Sequence, residues 1–277
     1  MRSDHSFHRL ELLLGSECFK KLASIKVIVF GVGGVGSWCV EALVRSGIHK
    51  LTIVDSDFVC VTNINRQLQA TAVSVGKVKV DELARRLREI NPDVEVCTLQ
   101  RRYNRDTAAE FDLADYDYVI DAIDSLSSKV ELIINAAAAG ATLYSALGAA
   151  GKLDPARIRV SSIWDSNKCR LGRFVRKRLR RRGFKDDFIC VWSDEPFFSI
   201  NKKEFDAVSI DEEDESRTND ISVGSKQING SIVHLTGIFG FMLSGLVIQD
   251  MEKKFGIRYV KSDVNYEQTC VLPQSLS

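Results

Sequence analysis

Residues 25–36 read Ile-Lys-Val-Ile-Val-Phe-Gly-Val-Gly-Gly-Val-Gly, an apolar run followed by four glycines within six residues. Such a run is typical of a buried parallel strand, and the glycines predict a tight turn into a helix over residues 37–46, closed by Gly47. Because glycine lacks a Cβ, backbone N–H groups and the helix N-terminus can approach a phosphate there. The glycines alone fit a dinucleotide-binding fold equally well, or a turn without ligand.

Strands and helices alternate along the first 150 residues of the chain. Further strands are predicted at residues 51–54, 94–99, 118–120 and 142–147, and helices at 78–90 and 129–139. This alternation predicts an α/β fold with a doubly wound, mostly parallel Rossmann-like sheet and helices on both faces. We expect residues 1–150 to form a nucleotide-binding core and residues 151–277 a C-terminal α/β extension of the same structural unit.

Special residues follow three of the predicted strands directly. Gly31, Asp55 and Asp121 each lie where a strand ends. Ligands of doubly wound sheets bind in the crevice beyond the carboxyl ends of the strands. The three positions therefore predict a single ligand site, in which an acid such as Asp55 would bind ribose hydroxyls whichever nucleotide is present.

Three polar residues after the second strand distinguish a reacting phosphate from one that is merely bound. Asn63, Arg66 and Lys79 follow Asp55 and Asp57 within one connecting segment. A carboxylate that attacks a nucleotide phosphate brings two anions together, which costs about 4 kcal/mol per charge pair at 4 Å and an effective dielectric near 20. Arg66 and Lys79, together with a metal ion, can offset that repulsion.

The segment after the fourth strand reads Asp121-Ala122-Ile123-Asp124-Ser125. Hard oxygen ligands suit magnesium, so Asp124 is a candidate ligand for Mg²⁺ on a leaving pyrophosphate. The alternative for Asp124 is a capping role at the start of the next helix. Asp121 fits either a positioning role or a capping role.

The net charge of +1 conceals two opposed blocks. Ten basic residues and no acid lie between Lys168 and Lys185, whereas eight acids accompany only Arg217 between Glu204 and Asp220. The basic block fits a nucleic-acid contact or a solvated helix face. We expect a strand before it at 157–163, a helix within it at 168–182 and a strand after it at 189–192.

Seventeen residues from Ile232 to Ile248 carry no formal charge. This is the short limit for a membrane span, and the three glycines and the polar residues within it favour a buried core or interface helix. Seven cysteines without a Cys-x-x-Cys pair, and no apolar run after Met1, indicate a reduced, cytoplasmic protein. Association with mitochondria stays open.

Five segments together resemble the ubiquitin-activating-enzyme-like adenylating superfamily. They are Gly31–Gly36, Asp55–Asp57, Val59–Gln67, Gly76–Lys79 and Asp121–Ser125. Within that superfamily, residues 148–158, the basic block and Val191-Trp192-Ser193-Asp194-Glu195-Pro196 are similar to the tRNA threonylcarbamoyladenosine dehydratases.

The resemblance implies that ATP adenylates the threonyl carboxylate of a modified adenosine beside the tRNA anticodon. Pyrophosphate leaves, and an internal group then displaces AMP and closes a ring, with net loss of water. The implied nucleotide-binding residues are Gly31, Gly33, Gly34, Gly36, Asp55, Asp57, Asn63, Arg66, Lys79 and Asp121. Arg66, Lys79 and Asp124 would be catalytic, with Mg²⁺ on Asp124. The resemblance also implies a homodimer, tRNA binding through residues 168–185, and Arg9 as the nearest candidate to reach a partner subunit's ATP.

Three alternatives share parts of this pattern. An adenylyltransferase that activates the C-terminus of a ubiquitin-like sulfur carrier would use the same nucleotide residues, but zinc cysteines and a transfer thiol between residues 221 and 230 are missing. An NAD-dependent oxidoreductase would have no use for Arg66 and Lys79. A nucleotide-binding module without turnover would keep the fold, and no obvious site residue is missing to favour it.

Overall fold

The computed structural model describes residues 6–197 and 230–256, and within them seven strands form one sheet. The strands are β1 (Lys26–Phe30), β2 (Lys50–Val54), β3 (Glu95–Leu99), β4 (Tyr118–Asp121), β5 (Thr142–Ala146), β6 (Ile158–Ser162) and β7 (Ile189–Ser193). Their order is β3-β2-β1-β4-β5-β7-β6, and every neighbouring pair is parallel except β6 with β7. The predicted doubly wound, mostly parallel sheet is confirmed.

Five of the seven helices in the described residues lie close to their predicted positions, whereas the two that precede the first strand were not predicted. The helices are α1 (His8–Leu14), α2 (Ser16–Ser24), α3 (Gly36–Arg45), α4 (Lys79–Ile90), α5 (Leu126–Ala138), α6 (Arg170–Arg181) and α7 (Val233–Phe255). The largest shift in a predicted helix start is in α5, which begins at Leu126 rather than at residue 129. Its first turn contains Ser127 and Ser128, short polar residues that look like the end of a loop in the sequence.

Strand side chains alternate between two hydrophobic cores, one on each face of the sheet. Val27 and Val29 belong to one core, and Ile28 and Phe30 to the other. The first core is completed by residues of α2, α3, α4 and α7, and the second by residues of α5 and α6. Helices therefore cover both faces, as the doubly wound architecture requires.

Helix α7 lies directly against α3. A Cβ on Gly240 would come within 2.5 Å of the Val35 carbonyl oxygen, so only glycine permits this approach. At the far end of α7, the Tyr118 hydroxyl donates a hydrogen bond to Asp250. By length and composition alone α7 is long and apolar enough to cross a membrane, yet 44% of its apolar window is buried inside the protein. One side of α7 is thus core, and the other faces outward.

The C-terminal extension adds its strands to the same sheet. β7 pairs with β5 in parallel, in a register that places Ile189 beside Tyr144, and β6 then pairs with β7 at the edge. Residues from both parts of the chain therefore share one sheet. The acidic run from Glu204 to Asp220 lies outside the described residues.

Candidate active site

In the glycine turn, close contacts within the protein explain Gly31 and Gly36 but do not explain Gly33. A Cβ on Gly31, whose φ is +84°, would lie 2.8 Å from the Ala122 carbonyl oxygen, and one on Gly36 would lie 1.8 Å from that of Gly31. Among the described residues, apart from its chain neighbours, Gly33 has no atom closer than 3.7 Å to such a Cβ. Turn geometry alone therefore leaves Gly33 unexplained, whereas close approach of a ligand to the backbone explains it. Helix α3 begins beside Gly33 without a side-chain cap, which leaves donors for an anion.

Asp55 links the end of β2 to the glycine turn. One carboxylate oxygen accepts the Val32 amide at 2.9 Å, and the other accepts the Asp57 amide at 2.9 Å. The ammonium of Lys79 lies 2.9 Å from Asp57 Oδ2 and 3.9 Å from Asp55 Oδ1. Burial raises the pKa of the Asp55 carboxyl, and the nearby Lys79 charge opposes that shift. The two acids thereby hold a nearly buried cation, Lys79, beside the glycine turn.

Arg66 is placed by a short irregular segment that crosses in front of the turn. A Cβ on Gly34 would lie 3.2 Å from Arg66 Cγ, and the Trp38 indole donates to the Arg66 carbonyl at 3.0 Å. Asn63 is buried, and its side-chain oxygen accepts the Cys60 amide at 3.0 Å. The bonds that Arg66 makes within the described residues use only one terminal nitrogen, with Thr62 and Asn65 as acceptors. The rest of its guanidinium fork remains available for an anion.

Asp121 is buried rather than open to the crevice. Its side chain and that of Lys129 are both 0% exposed, and Lys129 Nζ lies 2.6 Å from Asp121 Oδ2. Ser145 donates to the same oxygen at 2.6 Å, and the second oxygen accepts the Ile123 amide at 3.1 Å. Direct contact with a nucleotide would require this ion pair to open. The structure therefore favours the positioning role that the sequence left open for Asp121.

Asp124 lies in the turn that Asp121 supports, and its side chain is exposed. The residue that precedes α5 is Ser125, and no side chain caps that helix, so Asp124 does not act as its cap. No hydrogen bond or ion pair of Asp124 is found within residues 6–197 and 230–256. Among these residues no group of three or more His, Cys, Asp or Glu side chains could hold a metal unaided. A single free carboxylate fits Mg²⁺, which commonly takes one or two carboxylates together with substrate phosphates.

The predicted residues lie together at the carboxyl ends of β1, β2 and β4, three neighbouring strands of the sheet. Gly31 contacts Ala122, two residues before Asp124, while Asp55 and Lys79 meet the turn at Val32 and Arg66 meets it at Gly34. The expected convergence is therefore present in the backbone and in the side chains.

Sequence reasoning missed two glutamines and a lysine in this region. Gln69 donates to the Val32 carbonyl at 2.8 Å, and Gln67 Nε2 is the nearest atom to a Cβ on Gly33. Both glutamines are buried, and both side-chain carbonyls lack a hydrogen-bond partner among the described atoms. Lys129 could have been recognised, because it shares the buried stripe of Leu132, Ile133 and Ala136 at helical spacings of three, four and seven.

Comparisons with known proteins agree with this geometry. Residues 7–159 match the ThiF family model. The tRNA threonylcarbamoyladenosine dehydratase of Bacillus subtilis is 35% identical over 257 residues, which is 93% of this chain and 98% of that protein. The crystal structure of Escherichia coli tRNA N6-threonylcarbamoyladenosine dehydratase (TcdA) in complex with ATP superposes with a TM-score of 0.78 and 30% identity, covering 90% of this chain and 94% of that one.

The similarity to carrier-activating enzymes is shorter. An adenylyltransferase and sulfurtransferase of Meyerozyma guilliermondii (UBA4) is 38% identical over 109 residues, covering 39% of this chain and 26% of that protein. The dehydratase match, by contrast, continues through the C-terminal extension. The resemblance read from the motifs is confirmed, and the chain belongs to the tRNA threonylcarbamoyladenosine dehydratases, within the ThiF family and the adenylating superfamily.

Proposed function

We propose that this chain is the ATP-dependent enzyme that adenylates the threonyl carboxylate of threonylcarbamoyladenosine in tRNA and closes the ring. A carboxylate oxygen attacks the α-phosphorus of ATP, and the bond to pyrophosphate breaks. An internal group then displaces AMP from the acyl carbon, so the oxygen lost as water leaves with AMP. The observation that carries this proposal is the meeting of a glycine turn, two cations and a free carboxylate at one sheet edge.

The roles of the residues follow from their chemistry. The amides of the glycine turn and the start of α3 suit the phosphates, and Asp55 suits the ribose hydroxyls. Asn63, Arg66 and Lys79 supply donors and positive charge where two anions must approach each other. Asp124 would hold Mg²⁺, which supplies charge neutralisation at the leaving pyrophosphate when bound. The adenylation step needs no general base, because the substrate carboxylate is already ionised at neutral pH. In the ring closure, the attacking group gives up its proton to the departing AMP or to solvent.

One assay tests the activity directly. The protein is mixed with ATP, magnesium and tRNA that carries threonylcarbamoyladenosine, and the nucleosides are then analysed by mass spectrometry. We expect the modified nucleoside to lose the mass of one water while AMP and pyrophosphate accumulate. Formation of an adenylate on the C-terminus of a small carrier protein would support the sulfur-carrier alternative instead. Neither the oxidoreductase nor the inactive-module alternative gains support from the long dehydratase match.

The tRNA surface that we propose is the outer face of α6, within the basic segment from Lys168 to Lys185. Arg173, Lys177 and Arg180 are exposed and spaced at four and three residues, so they share one face. Arg176 was expected on this surface, but its guanidinium donates to the backbone and hydroxyl of Ser166. Arg176 is therefore engaged in holding α6 on the protein.

Charge reversal on that face gives the first prediction. Arg173→Glu, Lys177→Glu and Arg180→Glu together should weaken tRNA binding and reduce its salt slope by about two units, since each phosphate contact contributes roughly 0.7 to 0.9. The matched control reverses Lys20 and Lys253, exposed lysines on α2 and α7 near the opposite edge of the sheet. Binding is measured by filter retention between low and moderate salt. An unchanged salt slope in the triple variant would mean that the exposed face of α6 is solvated and does not contact tRNA.

We also propose that the protein is a homodimer and that it is cytoplasmic. The outward side of α7 carries the 51% exposed Phe241, flanked at helical spacings by Ile238 and Ile248, which are partly buried against the first core. Within the described part of the chain, a Cβ on Gly245, between them, would meet no atom within 4 Å, which leaves room for a second chain. A paired protein surface explains this face without membrane contact.

The second prediction tests the dimer. Phe241→Asp should convert a dimer into a monomer of 31.0 kDa, as measured by light scattering on a sizing column, because a charge would be buried in the apolar contact. Val160→Asp is the control, since Val160 is 40% exposed on the edge strand β6. A monomeric parent protein, or flotation of the parent protein with lipid vesicles, would contradict this assignment of α7.

A further inference from the structure

Two of the motifs that resemble the dehydratases interlock in space. Lys152, from the loop after β5, is 6% exposed and donates to the carbonyls of Ser193, at 3.3 Å, and of Glu195. Glu195, from the loop after β7, is 3% exposed and accepts the amides of Leu153 at 3.0 Å and Asp154 at 2.9 Å. Each side chain thus binds the backbone of the other segment. Burial lowers the pKa of the Lys152 ammonium.

This interlock holds a loop whose own amides are free. Residues 147–151 are fixed at one end by the Leu147 amide, which donates to Val191 at 2.8 Å, and at the other by the Gly151 amide, which donates to Gly230 at 2.8 Å. Between them, the amides of Gly148, Ala149 and Ala150 donate no hydrogen bond to any residue in the described ranges. Ala149 is buried, and buried backbone amides without a partner are rare in folded proteins. Consecutive free backbone amides are a donor set that suits an anion.

The position of the loop indicates which anion. The residues proposed to bind the phosphates of ATP lie at the ends of β1 and β2. Residues 147–151 follow β5 instead, on the other side of β4 and Asp124. The start of α6 packs against this loop, since a Cβ on Gly148 would lie 3.6 Å from Leu171 Cβ. The helix proposed to bind tRNA therefore begins where the loop lies.

We propose that the amides of Gly148, Ala149 and Ala150 bind the threonyl carboxylate of the tRNA substrate, and that Lys152 and Glu195 are the positioning residues that hold them in place. The inference rests on the proposed function. Binding through one carboxylate oxygen leaves the second free to attack ATP. The loop would thus form the side of the site that holds the tRNA carboxylate, opposite the side that holds ATP.

Hydrogen exchange of the unaltered protein tests the anion. Exchange in the peptide that covers residues 147–152 should slow when tRNA carrying threonylcarbamoyladenosine is added. It should not slow with ATP alone, or with the same tRNA lacking the threonylcarbamoyl group. Slowing by ATP alone would assign the amides to a phosphate, and equal slowing by both tRNAs would assign them to the RNA backbone; either result overturns the inference. Wild-type turnover measured in parallel separates failure of this inference from failure of the proposed function.

Variants test the positioning role. Lys152→Met should raise the KM for modified tRNA about tenfold or more, since one charge-assisted hydrogen-bond network is lost, and should leave the ATP Kd within about twofold. Lys152→Arg should give a KM for modified tRNA between those of Lys152→Met and the unaltered protein. The control is Arg157→Met, which removes another link between the same two segments, the ion pair of Arg157 with Asp194 at 2.7 Å. An equal rise in KM for Arg157→Met, or a parallel loss of ATP affinity in Lys152→Met, would reduce the interlock to a merely structural role.

Discussion

Asp124→Asn is expected to lower kcat by at least about 10²- to 10³-fold while leaving the protein folded. The change removes one negative charge from an exposed side chain that has no hydrogen bond or ion pair within the described ranges. Exposed sites of this kind usually alter stability by no more than about 0.5 kcal/mol. Loss of one electrostatic contributor in an active site, by contrast, commonly costs about 10²–10³ in rate. The effect should therefore fall on the chemistry alone.

The measurement separates the metal from the nucleotide. ATP binding without magnesium should be unchanged in Asp124→Asn, whereas the strengthening of ATP binding by magnesium should be lost, as titration calorimetry would show. Asp93→Asn is the matched control, because Asp93 is also exposed and lies just before β3, at the amino ends of the strands and away from the candidate site. Full turnover in Asp124→Asn, or an equal loss in Asp93→Asn, would contradict the assignment of Asp124 to the metal.

The fold was predictable because its signals are local. Three of the apolar strands end at a residue with a recognisable role, and parallel strands bring their carboxyl ends together. The neighbours of β7 were not predictable in this way. β7 inserts between β5 and β6 through long-range pairing, and a short apolar strand carries no mark of which neighbours it will have.

The candidate site was predictable where a residue acts alone and less so where it acts through a partner. The Asp124 side chain is exposed, whereas Asp121 forms a buried ion pair with Lys129. The sequence marks only the lysine of that pair, through its position on the buried stripe of α5. The inward turn of Arg176 did have a signal. Gly172, Val175 and Leu179 form the buried stripe of α6, and position 176 lies four residues after the first of them. A basic side chain on a buried stripe indicates an internal partner rather than a ligand.

The same reasoning gives the largest stability effect that we expect, at Lys129. Lys129→Met should destabilise the protein by about 3–5 kcal/mol, because it leaves the Asp121 carboxylate buried without its cation. That is a large part of the roughly 5–15 kcal/mol by which domains are stable. Ser145 and the Ile123 amide would still donate to Asp121, but neutral donors do not replace a charge at 2.6 Å.

A double-mutant cycle distinguishes this charge effect from simple loss of packing. If the penalty comes from the uncompensated carboxylate, Asp121→Asn combined with Lys129→Met should be more stable than Lys129→Met alone, as measured by urea unfolding with unchanged m-values. Val130→Ala is the control for lost packing, since Val130 is the neighbouring buried residue of α5. Additive losses in the cycle would mean that the two side chains do not depend on each other. In the unaltered protein the Asp121 carboxylate also accepts the Ile123 amide, in the turn that carries Asp124. The double variant regains stability but no longer has the ion pair that fixes this turn, so we expect its turnover to stay slow.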